Sequence, residues 1–424
     1  MKIKRYLLQS VRDHLDSKEI SVITGARQVG KTTLIQEIER ELHTRQKKTL
    51  YLNLDFEPDF RYFESQDLFI QKLNLEFGKD YGYVFIDEIQ RKNNAGLFLK
   101  GLYDRNLPVK FIVTGSGSME LKAKIHESLA GRKRILELLP VTFDEFVLFK
   151  TNYKYEQNLS EFYKLETTQT ALFLAEYLSY GGYPRIITES VQKEKFSLMN
   201  EIFNSYLSKD ISYLLNLDRP DAFRKLLGLL GAQTGNPLNY STLANDSGLS
   251  VPTLKKYIWY QVNTFITKEI SPFFKNKRKE ITKSPVIYFS DSGFRGFLLN
   301  RFGTSDNISD GKTFQNFIFN LLYDYTRANP PCEIHYWRTI AQAEVDFVLI
   351  QANSTIPVEV KYSHLRNTTL TRSLVSFIEK YKPERVIIVN LSLSEIREIK
   401  STQIEFVTYY ELINVLKKGR GGMK

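Results

Sequence analysis

The chain has 424 residues, of which 42% are hydrophobic and 25% are charged, as in a globular protein of two to four domains. The formal net charge of +11 favours a polyanionic partner or serves solubility. No apolar stretch reaches the roughly 18 residues of a membrane span, and five scattered histidines give no zinc-ligand spacing. A single cysteine allows no internal disulfide, and no apolar segment follows the basic N-terminus. We therefore expect a cytoplasmic protein without a membrane partner.

Residues 25–32 read GARQVGKT and match in full the GxxxxGK[ST] pattern of a phosphate-binding loop. The apolar run 20–23 predicts a buried strand before the loop, and residues 34–42 predict an amphipathic helix after it. In such a loop Lys31 reaches the β- and γ-phosphates and Thr32 ligates Mg²⁺. The sequence therefore predicts ATP and Mg²⁺ as cofactors. The predicted nucleotide-binding residues are Gly25, Arg27, Gln28, Val29, Gly30, Lys31, Thr32 and Thr33.

A second apolar run, residues 83–86, ends in Asp87 and Glu88. This pattern predicts a buried parallel strand whose C-terminal end carries two carboxylates at the ligand-binding edge of a sheet. Asp87 is then expected to hold Mg²⁺, directly or through water, and Glu88 to act as the base that polarises the attacking water. A third apolar run, residues 111–114, predicts another strand, and Thr114 or Ser116 at its end is predicted to sense the γ-phosphate.

Arg132 is a candidate for the cation that stabilises charge on the γ-phosphate. It precedes a plausible fifth strand at residues 135–140. One interpretation is an arginine finger that acts across a subunit interface. The other is an ordinary surface arginine, because Lys133 and Arg134 follow directly.

Four runs, ITGARQVGKTTL, VFIDEIQ, VTGSGS and LAGRKRILELLPVTFDEF, resemble those of prokaryotic AAA-type P-loop ATPases. The resemblance is to proteins that carry a C-terminal domain of uncharacterised function, the AAA_14 plus DUF4143 architecture. GGYPRII at 181–187 and KSPVIYFSDSGFRGFL at 283–298 fit it too. The resemblance implies an ATPase of the α/β class, with an AAA-type parallel sheet.

The middle of the chain predicts helices, among them residues 168–178 and 196–207, which Gly181 to Pro184 interrupt. A helical lid beside the nucleotide is one interpretation, and a helical linker is the other. The predicted domains are a P-loop ATPase domain at 1–145, a helical lid at 146–235, a winged helix at 236–304 and a nuclease-like domain at 305–424.

Residues 238–260 have the spacing of a helix-turn-helix. Ala244 allows two helices to cross closely, Gly248 supplies the turn, and Ser250 caps the second helix. That helix is predicted to present Thr253, Lys255 and Lys256 outward. A basic stretch between two strands follows as a wing, with Lys268, Lys275, Lys277, Arg278, Lys279 and Lys283. Such a module either binds DNA or connects domains.

The C-terminal part predicts a helix, three strands, a helix, a strand, and a final strand and helix. A hairpin turning at Ala352-Asn353 places Asp346 opposite Glu359 and Glu344 opposite Lys361. Strand alternation puts these four on one face, and Val345, Phe347, Val358 and Val360 on the other. Opposed carboxylates repel unless a cation lies between them, which predicts an Mg²⁺ or Mn²⁺ site. A plain salt bridge between Glu and Lys is the alternative.

The D…ExK arrangement resembles the PD-(D/E)xK nuclease fold of restriction enzymes and Holliday-junction resolvases. The resemblance implies that Asp346 and Glu359 ligate metal and that Lys361 is catalytic. It also implies an acidic residue on the first helix, but Gln315 stands there and offers no negative ligand. Either the domain cleaves DNA, or its charged face binds DNA or protein without cleavage.

Together these patterns predict an Mg²⁺-dependent ATPase that acts on or binds to DNA and forms nucleotide-dependent homo-oligomers. The alternative is an ATP-gated signalling or assembly switch whose nuclease-like domain is inactive and binds protein.

Overall fold

The computed structural model describes residues 2–116, 129–212, 219–274, 284–352 and 354–418. The chain forms two compact units. The first comprises residues 1–150, 182–220 and 257–266, and the second comprises residues 151–181, 221–256 and 267–424. Residues 146–235, the predicted lid, contribute to both units. The boundaries inferred from the sequence stay predictions.

The first unit is built on a parallel sheet with the spatial order β2-β3-β4-β1-β5. Every residue of β1 and β3 is buried, as expected of central strands covered on both faces. Their near-continuous apolar sequences therefore predicted them correctly. The strands are β1 Ile20–Gly25, β2 Lys48–Asn53, β3 Gly82–Asp87, β4 Val109–Ser116 and β5 Lys133–Glu137.

The second unit contains a mixed sheet with the order β12-β13-β11-β10-β9-β8 and a separate antiparallel pair, β6 and β7. Strand β12 was not predicted, because at this sheet edge its residues are largely exposed and form no apolar run. The strands are β6 Thr267–Ile270, β7 Val286–Phe289, β8 Cys332–Arg338, β9 Glu344–Gln351, β10 Ser354–Val360, β11 Arg385–Asn390, β12 Glu395–Ile399 and β13 Thr402–Thr408.

Many of the described residues outside these strands form helices. In the first part of the chain they are α1 Leu7–Arg12, α2 Lys31–Thr44, α3 Glu57–Phe60, α4 Gln66–Phe77, α5 Ala95–Asp104, α6 Phe143–Lys150, α7 Leu159–Leu165, α8 Thr167–Tyr180, α9 Pro184–Thr188 and α10 Gln192–Ser205. The later ones are α11 Pro220–Ala232, α12 Tyr240–Ser247, α13 Val251–Asn263, α14 Ser292–Leu298, α15 Ser305–Ser309, α16 Gly311–Ala328, α17 Arg372–Tyr381 and α18 Leu412–Lys418. No helix in the described ranges is both long and apolar enough to cross a membrane.

The turn between α12 and α13 has the predicted chemistry. Gly248 adopts φ +68°, and the N–H of Leu249 donates to the carbonyl of Ala244 at 3.0 Å. The Ser250 hydroxyl accepts from the N–H of Thr253 at 3.3 Å and so caps α13. These contacts confirm the local turn, while the winged-helix assignment stays a prediction.

The side chains predicted for DNA contact have different positions. Lys255 and Lys256 are exposed on α13 as predicted, and Thr253 is half-buried. The prediction that Lys268 contacts DNA phosphates as part of a wing is wrong. Its side chain is 7% exposed, and its ammonium lies 4.7 Å from the centre of the Tyr323 ring. The other predicted wing residues, Lys275, Lys277, Arg278, Lys279 and Lys283, lie outside the described residues.

Candidate functional site

The candidate site lies at the carboxyl edge of the parallel sheet, where β1, β3 and β4 end. Gly25 at the end of β1 pairs with Ser116 at the end of β4, and Asp87 is the last residue of β3. Open α/β sheets bind ligands at this edge because adjacent strands and helix N-termini converge there. The phosphate-binding loop and the predicted Asp87 and Thr114 positions therefore meet, although they are far apart in the sequence.

The loop between β1 and α2 is shaped by backbone conformations that few side chains tolerate. Gly25 has φ +154°, and a Cβ atom there would lie 2.3 Å from the carbonyl oxygen of Leu138. Gly30 has φ +100° immediately before α2, so the N-terminus of that helix faces the loop. The Lys31 ammonium donates to the carbonyls of Gly25 at 3.0 Å and Ala26 at 2.8 Å. This lysine therefore already lies inside the loop that is predicted to hold phosphates.

The carboxylate of Asp87 is 1% exposed and accepts hydrogen bonds from three side chains. Its Oδ2 accepts from the hydroxyl of Thr32 at 2.8 Å and from Tyr51 at 2.9 Å. Its Oδ1 accepts from the hydroxyl of Thr114. The threonine and carboxylate predicted to ligate Mg²⁺ are thus in direct contact, and their oxygens are the ligand type that this ion prefers.

Tyr51 was missed by the sequence analysis, which assigned β2 no role at the site. Its hydroxyl reaches Asp87 because the carboxyl end of β2 lies beside β3, where Leu52 pairs with Ile86. Burial, together with the charge of Asp87, raises the pKa of Tyr51 well above its usual range. Tyr51 therefore remains a neutral donor to Asp87.

Glu88 follows Asp87 in the left-handed region at φ +57°, an uncommon conformation for a residue with a side chain. Its N–H donates to Asp87 Oδ1 at 3.2 Å and contacts the Thr114 hydroxyl at 3.4 Å. Its carboxylate accepts a hydrogen bond from the side-chain amide of Gln90. The Glu88 carboxylate is therefore held by Gln90, a second residue that was not predicted from the sequence.

A cation that the sequence analysis missed lies beside the phosphate-binding loop. Arg185, in the first turn of α9, donates to the Gln28 side chain at 3.1 Å. The same guanidinium makes a two-pronged ion pair with Glu201 at 2.8 and 3.1 Å. The position is reached through the Pro184 turn, whose ring lies 3.9 Å from a Cβ built at Gly30. The GGYPR motif was the available signal, but no role was predicted for Arg185 within it.

Arg132 lies at the opposite end of the sheet. Its carbonyl accepts from the N–H of Ile20, the first residue of β1, and its guanidinium donates to Asp104 at 2.7 Å. With about 3.3 Å per strand residue, the length of β1 separates Arg132 from the loop. Arg132 is therefore not placed to reach a phosphate bound to its own chain. The proposed action on a neighbouring subunit stays a prediction.

The other residues predicted to bind nucleotide or sense phosphate have different surroundings. Arg27 donates to the Ser205 hydroxyl at 3.1 Å, Thr33 is exposed on α2, and the buried Val29 contributes its backbone. The Val29 carbonyl accepts from Arg5 at 2.9 Å, and Arg5 is ion-paired with the buried Glu145 at 3.1 Å. Arg5 thus links the backbone of the phosphate-binding loop to the buried Glu145. The side chain of Ser116 lies outside the described residues.

The C-terminal carboxylates lie at the point where β9 and β10 separate. The strands pair in the predicted register, Gln351 with Ser354 through to Phe347 with Val358, which leaves Asp346 and Glu359 as the next positions. Asn353 of the predicted turn lies outside the described residues. The register prediction is therefore confirmed up to Phe347 and Val358.

The predicted separation of Asp346 and Phe347 onto opposite faces is wrong. The carboxylate of Asp346 accepts from Gln315 at 2.7 Å and the ring of Phe347 packs 6.2 Å from that of Phe319, so both contact α16. Val345 packs in a separate cluster with Phe377. The reason is a register shift between β8 and β9, which interrupts strict alternation.

The charged partners also differ from the prediction. Lys361, which directly follows β10, pairs with Glu359 of that strand at 2.6 Å, whereas Glu344 lies 3.8 Å from Arg338. Burial of its carboxyl group raises the pKa of Asp346 to about 6, with the nearby charge of Glu359 acting in the same direction. The N–H of Val360, which donates to Asp346 at 2.8 Å, opposes this increase.

Comparisons with known proteins agree with this architecture. The AAA domain model (AAA_14) matches residues 17–147, and two domains of unknown function match residues 172–305 (DUF8612) and 310–411 (DUF4143). The first range contains β1 to β5 and the whole phosphate-binding loop. The chain therefore has an AAA-type ATPase architecture with a parallel-sheet α/β core, and the DUF4143 resemblance is confirmed.

Relatives of similar length are uncharacterized proteins. One from Mycobacterium tuberculosis is 24% identical over 383 residues, which cover 89% of this chain and 78% of the relative. One from Haemophilus influenzae is 23% identical over 418 residues, covering 94% and 96%. Among solved structures, Cdc6p from Pyrobaculum aerophilum is 9% identical and covers 75% of this chain and 96% of its own, with a TM-score of 0.30. AMPPCP-bound DnaA from Aquifex aeolicus is 15% identical and covers 60% and 85%, with a TM-score of 0.29.

Proposed function

We propose that the protein binds ATP with Mg²⁺ at the phosphate-binding loop and hydrolyses it. The observation that carries this proposal is the contact of Thr32 and Thr114 with the buried Asp87, at the sheet edge where the loop begins. A buried carboxylate beside a threonine at a helix N-terminus fits a cation that also contacts phosphate oxygens. When bound, Mg²⁺ neutralises charge on the phosphates.

The residues of the chain have separable roles in this proposal. Lys31 holds the β- and γ-phosphates, and Thr32 and Asp87 hold the metal ion. Glu88 accepts a proton from the attacking water, with Gln90 fixing the direction of its carboxylate. Arg185 supplies positive charge to the γ-phosphate side, because its partner Gln28 belongs to the loop. Thr114 keeps Asp87 in place and senses the phosphate.

Binding to DNA is the second part of the proposal. It is supported by the net charge of +11 and by the exposed Lys255 and Lys256 on the second helix of a helix-turn-helix spacing. We propose that residues 236–304 form a winged helix and that the nuclease-like domain at 305–424 contributes further contacts. The protein would act in the cytoplasm as a nucleotide-dependent homo-oligomer, in which Arg132 could reach a neighbouring site.

The competing function is an ATP-gated switch in which nucleotide state controls assembly and little turnover occurs. The two are distinguished by measuring steady-state phosphate release and oligomer size, with and without duplex, branched and single-stranded DNA. Turnover stimulated by one of these DNAs supports the ATPase proposal. A nucleotide-dependent change in size without multiple turnovers supports the switch, and absence of ATP binding contradicts both.

A further inference from the structure

The side chain of Gln315 is held in one orientation beside Asp346. Its amide nitrogen donates to Asp346 Oδ1 at 2.7 Å and to the Tyr288 hydroxyl at 3.2 Å, and its amide oxygen accepts from Lys312 at 3.1 Å. A Cβ at Gly235, which has φ +76°, would lie 2.7 Å from the same amide oxygen. Gln315 is 6% exposed, so this arrangement is enclosed by the fold rather than formed at a free surface.

The two nearby carboxylates already have protein donors on all four oxygens. Asp346 accepts from Gln315 on Oδ1 and from the Val360 N–H on Oδ2 at 2.8 Å. Glu359 accepts from Lys361 on Oε1 at 2.6 Å and from the Thr371 hydroxyl on Oε2 at 3.1 Å. A divalent cation would have to compete with these donors. The Lys361 ammonium repels it by charge, and the N–H groups of Gln315 and Val360 offer it no ligand oxygen, unlike the Thr32 and Tyr51 hydroxyls at Asp87.

The small number of available ligands also argues against a divalent cation at Asp346 and Glu359. Mg²⁺ and Mn²⁺ take oxygen ligands in near-octahedral geometry, and Mg²⁺ is usually held by one or two carboxylates together with waters and substrate phosphates. Across the parts of the chain that the structure describes, no group of three or more His, Cys, Asp or Glu side chains could hold a metal ion. At the third position of this site stands an amide whose nitrogen, a donor, faces Asp346.

We propose that Gln315 and Lys361 keep the Asp346–Glu359 pair free of divalent metal, so that the C-terminal domain does not cleave DNA. The two carboxylates instead anchor structure: Asp346 joins α16 to β10, and Glu359 joins β10 to the start of α17 through Thr371. This inference is independent of ATP hydrolysis at the phosphate-binding loop. It also leaves the domain able to bind DNA or protein through its outer surface.

The test is Mn²⁺ binding to the full-length, nucleotide-free chain, measured from the electron paramagnetic resonance signal of free Mn²⁺. Any weak site at the phosphate-binding loop is common to all variants, so differences between them report the C-terminal site. The wild type and Asp346→Asn are expected to bind equal amounts of Mn²⁺. A lower amount for Asp346→Asn would overturn the proposal, and this comparison does not depend on how the next variant folds.

Gln315→Glu places a third carboxylate beside Asp346 and removes the amide donor. We expect it to gain about one Mn²⁺ per chain and to lose that gain in the double variant with Asp346→Asn. Gln192→Glu makes the same charge change at an exposed position on α10 and should gain none. A folded Gln315→Glu chain, judged by circular dichroism, that binds no additional Mn²⁺ would refute the role given to Gln315. Mn²⁺-dependent nicking of DNA by the wild type that Asp346→Asn abolishes would refute the proposal as a whole.

Discussion

The hydroxyl of Thr32 donates to Oδ2 of Asp87 at 2.8 Å although 55 positions separate the two residues in the chain. The contact joins the first turn of α2 to the end of β3, and it exists because β1 and β3 flank β4 in one parallel sheet. A threonine hydroxyl and a buried carboxylate brought together beside a phosphate-binding loop are the physical basis of the predicted Mg²⁺ site.

Lys31→Ala should abolish ATP binding, because it removes the cation that lies within the phosphate-binding loop. A titration with a fluorescent ATP analogue measures the affinity, and Lys47→Ala, at an exposed position, serves as the control. Retention of wild-type affinity by a folded Lys31→Ala protein would contradict the proposed site.

Glu88→Gln should bind ATP with near wild-type affinity but hydrolyse it about 10²- to 10⁴-fold more slowly, since the substitution removes the proton acceptor and keeps the shape. Phosphate release under saturating ATP gives the rate. Glu57→Gln changes an exposed carboxylate in the same unit and should leave turnover unaltered. Unchanged turnover in Glu88→Gln would exclude Glu88 as the base.

Arg185→Met should lower the rate of ATP hydrolysis and leave the melting temperature nearly unchanged. The arginine is exposed, and its pairing with Glu201 is a surface ion pair that adds little stability. Glu201→Gln frees the guanidinium and is expected to tighten ATP binding. Parallel measurements of affinity, turnover and melting temperature separate these effects. If both variants change only the melting temperature, Arg185 has a purely structural role.

Gly25→Ala should destabilise the fold by about 2 kcal/mol or more, because its Cβ would overlap a backbone carbonyl in an unfavourable φ region. Gly311→Ala is the matched control, since a Cβ there meets no atom within 4 Å. Urea unfolding gives both values. Equal stabilities of the two variants would show that the loop relaxes without cost.

The stability of the first unit should depend on pH through His14. Burial, reinforced by the positive charge of Lys110, lowers the pKa of His14 to about 4 from the usual 6.5. Between these values the unfolded chain binds a proton that the folded chain excludes, so the free energy of unfolding falls as pH decreases from about 6.5 toward about 4.

His14→Gln can still hydrogen-bond to Ser21, which lies 2.7 Å from the imidazole Nδ1, but it does not titrate. Denaturant titrations at pH 7.0, 6.2 and 5.5, values chosen to lie ~1 unit or more above the range where most carboxylates titrate, should show a flatter dependence for this variant. Identical pH dependence in the two proteins would exclude the contribution of His14.

Much of this protein could be predicted from local sequence. Apolar runs identified β1, β3 and β4. Central parallel strands are buried on both faces, so their sequences are almost continuously apolar and can be recognised without knowing which strands they pair with. The glycine spacing of the phosphate-binding loop, the Gly248 turn and the Ser250 cap were likewise predicted, since each is a local backbone requirement. The exposed strand β12 and the bulge that turns Asp346 and Phe347 toward the same helix left no comparable signal.

The sequence by itself determined which side chains could meet a phosphate, because a P-loop is defined by contiguous residues. Only the tertiary structure decided what those side chains touch: Asp87 meets Tyr51, Arg185 reaches Gln28, and Arg132 lies at the far end of the sheet. These relations depend on strand order and on helix ends that come from distant segments, which periodicity does not encode. Gln315 is a further example. The sequence showed that an amide stands where an acidic metal ligand was expected, and only the tertiary structure showed that this amide contacts Asp346 and Lys312.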